Sequence, residues 1–301
     1  MTAATTVTAH TVMARRKPPT VHGLAVVDKP AGVTSHDVVG MLRRRFGERQ
    51  VGHAGTLDPD ATGVLLVGVG KGTRLVRFLT DLGKTYTGEV VFGTTTDSLD
   101  STGVVTGTFD MAGLTEAAVR EAVRDHLMGP IMQVPPMVSA LKVDGRRLHE
   151  LAREGVEVER APRPVSVYRF GIEPTADPLR YLVEVHCSKG TYIRSLADDL
   201  GRLCGGGAHL HGLRRIAVGS FTVAEAAPPE QAVLLPLATA LRDYAQVRVD
   251  DATAALVRQG RVLPRPDGDG PWAVLAPEGD LLAVYEPFRN GEAKPAVVVA
   301  T

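Results

Sequence analysis

The stretch His53-Ala-Gly55-Thr56-Leu57-Asp58-Pro59-Asp60-Ala61-Thr62-Gly63 is where this chain could do chemistry. Its glycines let the backbone turn sharply, and Pro59 restricts the residue before it, Asp58. A carboxylate between Leu57 and Pro59, in a loop leading into the apolar run at residues 64–69, has two readings. It caps a turn, or it is a reactive group. The stretch alone leaves both open. Other chemistries fail on spacing. Gly68-Val-Gly70-Lys71-Gly72 lacks the first glycine and the closing Ser/Thr of a P-loop, and it is not G-x-G-x-x-G. Asp97-Ser-Leu-Asp100 lacks the alternate carboxylates of a calcium loop. The histidines show neither H-E-x-x-H nor metal-ligand spacing, Cys187 and Cys204 cannot make a zinc site alone, and no G-x-S-x-G elbow occurs. Chemistry without a metal or cofactor remains.

The elements that must hold such a loop are read from apolar spacing. A strand at 23–27 runs into Asp28-Lys29-Pro30-Ala31-Gly32, and Ser35 is the expected N-cap of a helix with Asp37 in its first turn. Val38, Leu42 and Phe46 give that helix one apolar stripe, Gly47 ends it, and Arg43, Arg44 and Arg45 face away. Further strands are expected at 64–69, 85–92, 165–172, 181–187 and within 210–223, and helices around 75–82, 115–127 and 191–203. Residues 131–163, polar and rich in Arg, read as an excursion from the core. A linker at 243–246 precedes a β-rich module with a helix at 251–259 and strands at 273–275, 281–285 and 296–299. Strands and helices mix without a βαβα rhythm, which indicates an α+β fold.

Of 301 residues, 44% are hydrophobic and 23% charged, which suits a globular protein with a sizeable core. With 34 basic and 34 acidic residues the net charge is +0, so a general polyanion binder is disfavoured. Any nucleic acid must be met by local basic patches. Seven Phe, six Tyr and one Trp are too few to favour a multi-base stacking platform. No apolar run reaches the roughly 18 residues of a membrane span, and the N-terminus lacks the apolar segment of a secretory signal. With only two cysteines, a reducing cytoplasm is the expected compartment. Residues 1–20 are expected to form a mobile tail.

The motif Gly55-x-Leu57-Asp58-Pro59-x-Ala61-Thr62-Gly63 resembles the catalytic motif of the TruB family of pseudouridine synthases. Other blocks carry the same resemblance: Asp28-Lys29-Pro30-x-Gly32-x-Thr34-Ser35, Lys84-x-Tyr86, Gln133-x-Pro135-Pro136 and Ser139-Ala140-x-Lys142. So do Cys187-Ser188-Lys189-Gly190-Thr191-Tyr192-Ile193-Arg194, Asp198-Asp199-Leu200-Gly201 and Leu213-Arg214-Arg215. They keep family order from about residue 23 to 225. Each is weak alone, and together they are specific.

The resemblance implies a pseudouridine synthase fold: a mixed, largely antiparallel sheet flanked by helices. It places the catalytic domain at 21–244, an RNA-clamping insertion at about 131–163, and a small PUA-like RNA-binding domain at 245–301. A chain ending near Tyr244 is expected to fold alone. The implied reaction isomerises a uridine at position 55 in the T-loop of tRNA, without cofactor or metal. Asp58 would act at the sugar, Arg194 would pair with it, and Tyr86 would stack on the uracil against Leu213. The local alternative pairs Arg194 with Asp198, one helical turn on. His53 would fill the gap left by the flipped base. Lys29, Lys142, Tyr192, Arg214 and Arg215, with Arg146, Arg147 and Arg153, would bind substrate or RNA. The implied partners are the T-arm and, through the C-terminal domain, the acceptor stem, for a monomer with no obligate protein partner. Val138 and His149 depart from the family's aromatic and Tyr, which bears on RNA grip.

Overall fold

Alternation builds the main sheet: Tyr181, Val183, Val185 and Cys187 are buried while Leu182 and His186 point outward. The computed structural model describes residues 18–300 except Ala140 and Asp144, and the side chains of Lys142, Arg147 and His149 also lie outside the described residues. In chain order the first elements are β1 (Gly23–Lys29), α1 (Ser35–Phe46), β2 (Val51–Ala54), β3 (Thr62–Val69), α2 (Val76–Asp81) and β4 (Lys84–Phe92). Then come β5 (Thr94–Thr96), β6 (Val105–Thr108), α3 (Glu116–His126), β7 (Gly129–Gln133), β8 (Lys142–Val143), β9 (Arg146–Arg147) and α4 (Leu148–Arg153). β10 (Arg163–Pro174), β11 (Arg180–Cys187), α5 (Ile193–Leu203), β12 (Ala208–Val218) and β13 (Phe221–Thr222) complete the larger part. The C-terminal part holds β14 (Ala245–Arg248), α6 (Asp251–Arg258), β15 (Leu263–Pro264), β16 (Trp272–Leu275), β17 (Leu281–Pro287) and β18 (Glu292–Val298).

The main sheet runs β1-β3-β12-β4-β11-β10-β7, with β2 also on β3 and β13 on β12. All its pairs are antiparallel except β3–β12, a parallel contact of two register pairs, Arg214–Thr62 and Arg215–Gly63. The fold is therefore α+β with a mixed, largely antiparallel sheet. α3 and α5 cover one face of β4, β11 and β10, burying Val119, Val123, Leu196 and Leu200 against Val90, Val183 and Val185. α1 covers one face of β1 and β3 through Val38 and Leu42.

The short β3–β12 contact is the junction where the candidate site lies. Gly63 has φ 104°, and a Cβ there would lie 2.1 Å from the Arg215 carbonyl oxygen. Only glycine lets the two strands approach this closely.

Several expectations need correction. Thr34, not Ser35, is the N-cap of α1: its side chain accepts from the Asp37 N–H, and Asp37 answers with a capping box. The insertion is shorter than 131–163, because 131–133 and Arg163 pair within the main sheet. The expected linker at 243–246 overlaps β14, which runs parallel to β16 in a second, five-stranded sheet. That sheet is not detachable. Ala273, Leu275, Leu281, Val284 and Val299 share one core with Leu24, Val26, Leu66, Leu75 and Phe78, and the Tyr244 hydroxyl donates to the Phe78 carbonyl at 2.7 Å. A chain ending at Tyr244 would expose that core, so the expectation that it folds alone is withdrawn. Residues 1–17 of the expected tail lie outside the described residues.

Candidate active site

Asp58 sits in a turn between β2 and β3. Its carbonyl accepts from the Ala61 N–H at 3.2 Å, with Pro59 at the second position, where a type I or II turn favours proline. The turn reading is thus right for the backbone. The carboxylate does something else: its Oδ2 lies 2.9 Å from Nη2 of Arg194.

The surroundings fix the loop. The Ser35 hydroxyl donates to the Leu57 carbonyl at 3.1 Å and accepts from the Leu57 N–H at 2.9 Å. Lys29 Nζ donates to the carbonyls of Pro30, Val33 and Pro59 at 2.9, 2.6 and 2.8 Å. Lys29 is wholly buried, so it has no face for RNA, contrary to its expected role. Burial lowers its pKa to about 8 against the opposing pull of Asp60 and Asp58. Arg215 is also buried, donating to the Val64 and Gly55 carbonyls at 2.7 and 3.2 Å. It too braces the loop rather than facing RNA.

Arg194 stands at the start of α5 with its side chain only 3% exposed. Nη1 donates to the Ser98 carbonyl at 2.6 Å, Nη2 to the Val138 carbonyl at 2.8 Å, and Nε lies 3.6 Å from Asp100 Oδ2. The alternative pairing is overturned, because Asp198 is held by Arg202 at 2.6 Å. The Asp58 side chain keeps 41% exposure. Burial of its carboxyl group raises its pKa, Arg194 opposes that, and the Asp100 charge adds to it.

Asp58 and Arg194 line a cavity of about 210 Å³ with Ala61, Val138, Leu210 and Leu213. Its rim is the turn at 98–102, through Ser98, Asp100, Ser101 and Thr102. Asp100 Oδ1 accepts from Ser98 Oγ, Thr102 N and Thr102 Oγ1 at 2.7, 3.0 and 2.6 Å, and Leu99 takes φ 62°. Sequence reasoning assigned Asp100 and Ser98 no role. The available signal was a Ser/Asp/Thr/Gly cluster between strands, whose side chains fold back on their own backbone. Gln133 was quoted without a role: its amide donates to the Tyr192 carbonyl at 3.0 Å and accepts from the Tyr192 N–H at 2.8 Å. It anchors the residue that caps α5.

The other expected residues are only partly brought together. Tyr86 is 9% exposed and lies in the apolar cluster with Leu57, Ala61 and Leu213 rather than on the cavity wall, so it supports the floor here. Burial pushes its hydroxyl pKa up. Tyr192 is half-buried, and burial raises the pKa of its hydroxyl. His53 lies on β2 with its pKa lowered, first by burial and then by Arg215. Its Nδ1 is buried without a hydrogen-bond partner among the described residues. Arg214 is partly exposed and bidentate to Asp28 at 3.0 and 2.8 Å. Arg146 is exposed and paired with Glu154, and Arg153 is exposed. The side chains of Lys142, Arg147 and His149 lie outside the described residues. Among the described residues no cluster of three or more His, Cys, Asp or Glu could hold a metal ion, and no helix is long and apolar enough to cross a membrane.

Comparison with known proteins identifies the family of the chain. Residues 43–193 match the family model described as TruB family pseudouridylate synthase (N terminal domain). Residues 244–300 match the model described as tRNA Pseudouridine synthase II, C terminal. A tRNA pseudouridine synthase B of Arthrobacter sp. (strain FB24) is 42% identical over 297 residues, covering 92% of this chain and 96% of that protein. One of Symbiobacterium thermophilum is 48% identical over 249 residues, covering 80% and 82%. Among solved structures, one described as a Cbf5-Nop10-Gar1 complex matches with TM-score 0.69 at 24% identity, covering 92% of this chain and 83% of that one. An H/ACA RNP bound to a substrate RNA containing 2'-deoxyuridine matches with TM-score 0.68 at 22% identity, covering 93% and 85%. These two likenesses speak to the fold. The sequence matches go further: the chain belongs to the TruB family of pseudouridine synthases and is an isomerase.

Proposed function

We propose that the chain converts uridine to pseudouridine at position 55 in the T-loop of tRNA. The observation that carries this reading is the Asp58 carboxylate, open to a small cavity and gripped at 2.9 Å by a buried guanidinium. Pseudouridine formation breaks the C1′–N1 bond, turns the uracil and joins C1′ to C5. The C5 proton is lost and N1 gains one, so nothing is oxidised and no cofactor is required. The cavity, below the roughly 300–1,000 Å³ of drug-sized pockets, suits a single base flipped from its stack. Asp58 acts at the sugar. Arg194 works against the burial that raises the Asp58 pKa and holds the carboxylate in one orientation. Leu213 forms an apolar wall for the uracil, Tyr86 supports the floor beneath it, and His53 fills the vacated place in the RNA.

In this reading residues 21–244 carry the chemistry, the segment between β7 and β10 closes over the T-loop, and the C-terminal sheet meets the acceptor stem. The enzyme works in the cytoplasm as a monomer without an obligate protein partner. The test is mapping of pseudouridine on tRNA before and after incubation with the pure protein. Modification confined to the T-loop uridine supports the reading. Binding of tRNA with no isomerisation would favour an RNA-folding helper instead.

A further inference from the structure

β12 carries a histidine at the point where it passes the rim of the cavity. His211 Nδ1 lies 2.9 Å from Ser101 Oγ, and both residues are exposed. Ser101 lines the Asp58 cavity, while His211 lines a second, open cavity of about 700 Å³. Gly212 lines both, so the pair spans the ridge between them. The strand widens there: its register on β4 shifts between His211 and Arg214. The pair is not needed to fasten the rim. Ser101 N–H already donates to the Leu210 carbonyl at 2.9 Å, and Leu210 N–H to the Leu99 carbonyl at 3.0 Å.

The hydrogen bond occupies one of the two ring nitrogens, Nδ1. When the Ser101 hydroxyl donates to Nδ1, the neutral ring carries its proton on Nε2. Three charged neighbours on this face are already engaged, and Arg120 and Glu173 line the same cavity. Glu89, across the strand pair from His211, is held by Arg180 at 2.7 Å; Glu184 is held by Arg169 at 3.3 Å; Arg214 is held by Asp28. Ser101 and Gly212 put this rim beside the small cavity, where it can meet the backbone of a nucleotide whose base enters.

We propose that His211 binds RNA, its Nε2–H donating to a phosphate oxygen beside the flipped uridine while its Nδ1 accepts from Ser101. This rests on reading the Asp58 cavity as the pseudouridine site.

The test uses the full-length protein and a T-arm hairpin RNA. His211→Ala raises KM about tenfold while kcat stays within about twofold, as expected for a lost hydrogen bond to a charged group. His211→Gln, which keeps an acceptor and a donor, recovers most of the loss, and Ser101→Ala falls between. A hairpin with a neutral methylphosphonate at one phosphate flanking the uridine costs the wild type a similar factor and costs His211→Ala nothing more. A KM unchanged in His211→Ala would overturn the inference. So would additive losses, or a kcat that falls in step with KM. Wild-type protein that forms no pseudouridine would sink the reading of the site itself.

Discussion

Two kinds of buried cation surround the Asp58 loop. Lys29, Lys84 and Arg215 meet carbonyl oxygens, and among the described residues no carboxylate accepts a hydrogen bond from them. Arg194 meets two carbonyls and also two carboxylates, Asp58 and Asp100. The first kind is solvated by peptide dipoles and pins the backbone. The lysines show the cost, since burial lowers both pKa values to about 8. The second kind is a buried ion pair, a poor source of stability because desolvation offsets most of the Coulomb attraction. One of its carboxylates keeps 41% of its side chain open to a cavity. Burial alone therefore does not mark a functional cation. The partner does.

Breaking the pair at its carboxylate should have the largest effect. Asp58→Asn is nearly isosteric and should still bind tRNA, while single-turnover pseudouridine formation falls on the order of 10⁴-fold. Filter binding on the same preparation checks the affinity, and retained isomerisation would dissolve the contrast between the two kinds of cation.

Replacing the cation comes next. Arg194→Lys keeps the charge but loses the planar fork that reaches Asp58, Ser98 and Val138 together, so turnover should drop roughly 10²-fold or more. Near-normal turnover would mean that charge without geometry suffices.

The carbonyl-bound cations should behave as structural groups. Lys29→Met leaves three carbonyls without their donor and should lower stability by about 3 kcal/mol in denaturant unfolding. Because the folded-state pKa is below the unfolded one, the native state binds fewer protons between about 8 and 10.5, so the wild type gains stability as pH rises through that window. The variant lacks this gain, and the gap between the two proteins should widen with pH. A gap that narrows would show that Lys29 is stabilised in its charged form.

The smallest effect separates neighbours on one strand. Arg214→Gln, at a side chain 36% exposed, should weaken tRNA binding a fewfold and reduce its salt slope by about one. Arg215→Gln should leave the salt slope alone and lower the unfolding midpoint, because that side chain is only 1% exposed. Equal salt slopes would erase the distinction.

Much of the frame was legible before the structure. The helices at 115–127 and 191–203 and the strands through 85–92 and 181–187 follow from period, and the structure keeps them within a few residues. The ends were less legible. Thr34 and Ser35 are both good caps, and the choice was made by Leu57, whose backbone engages Ser35 across the chain. The linker at 243–246 became β14 because β16, about 27 residues further on, offers it a parallel partner.

The sequence by itself determined which residue types could do the chemistry and the order in which they occur. The Asp58–Arg194 pairing was implied by the family resemblance of the ordered motifs and not by spacing within any one block, which pointed to Asp198 instead. Tertiary structure alone decided what each cation meets. Lys29, Arg214 and Arg215 read alike as basic residues, yet one lies under the Pro59 carbonyl, one reaches Asp28, and one is buried at the β3–β12 junction. It also brought Asp100 to within 3.6 Å of Arg194 across 94 residues of chain, and placed the C-terminal sheet over the core of the first strands. Burial and partner choice are set by non-local packing, and local spacing carries no record of which distant carbonyl or carboxylate will meet a side chain.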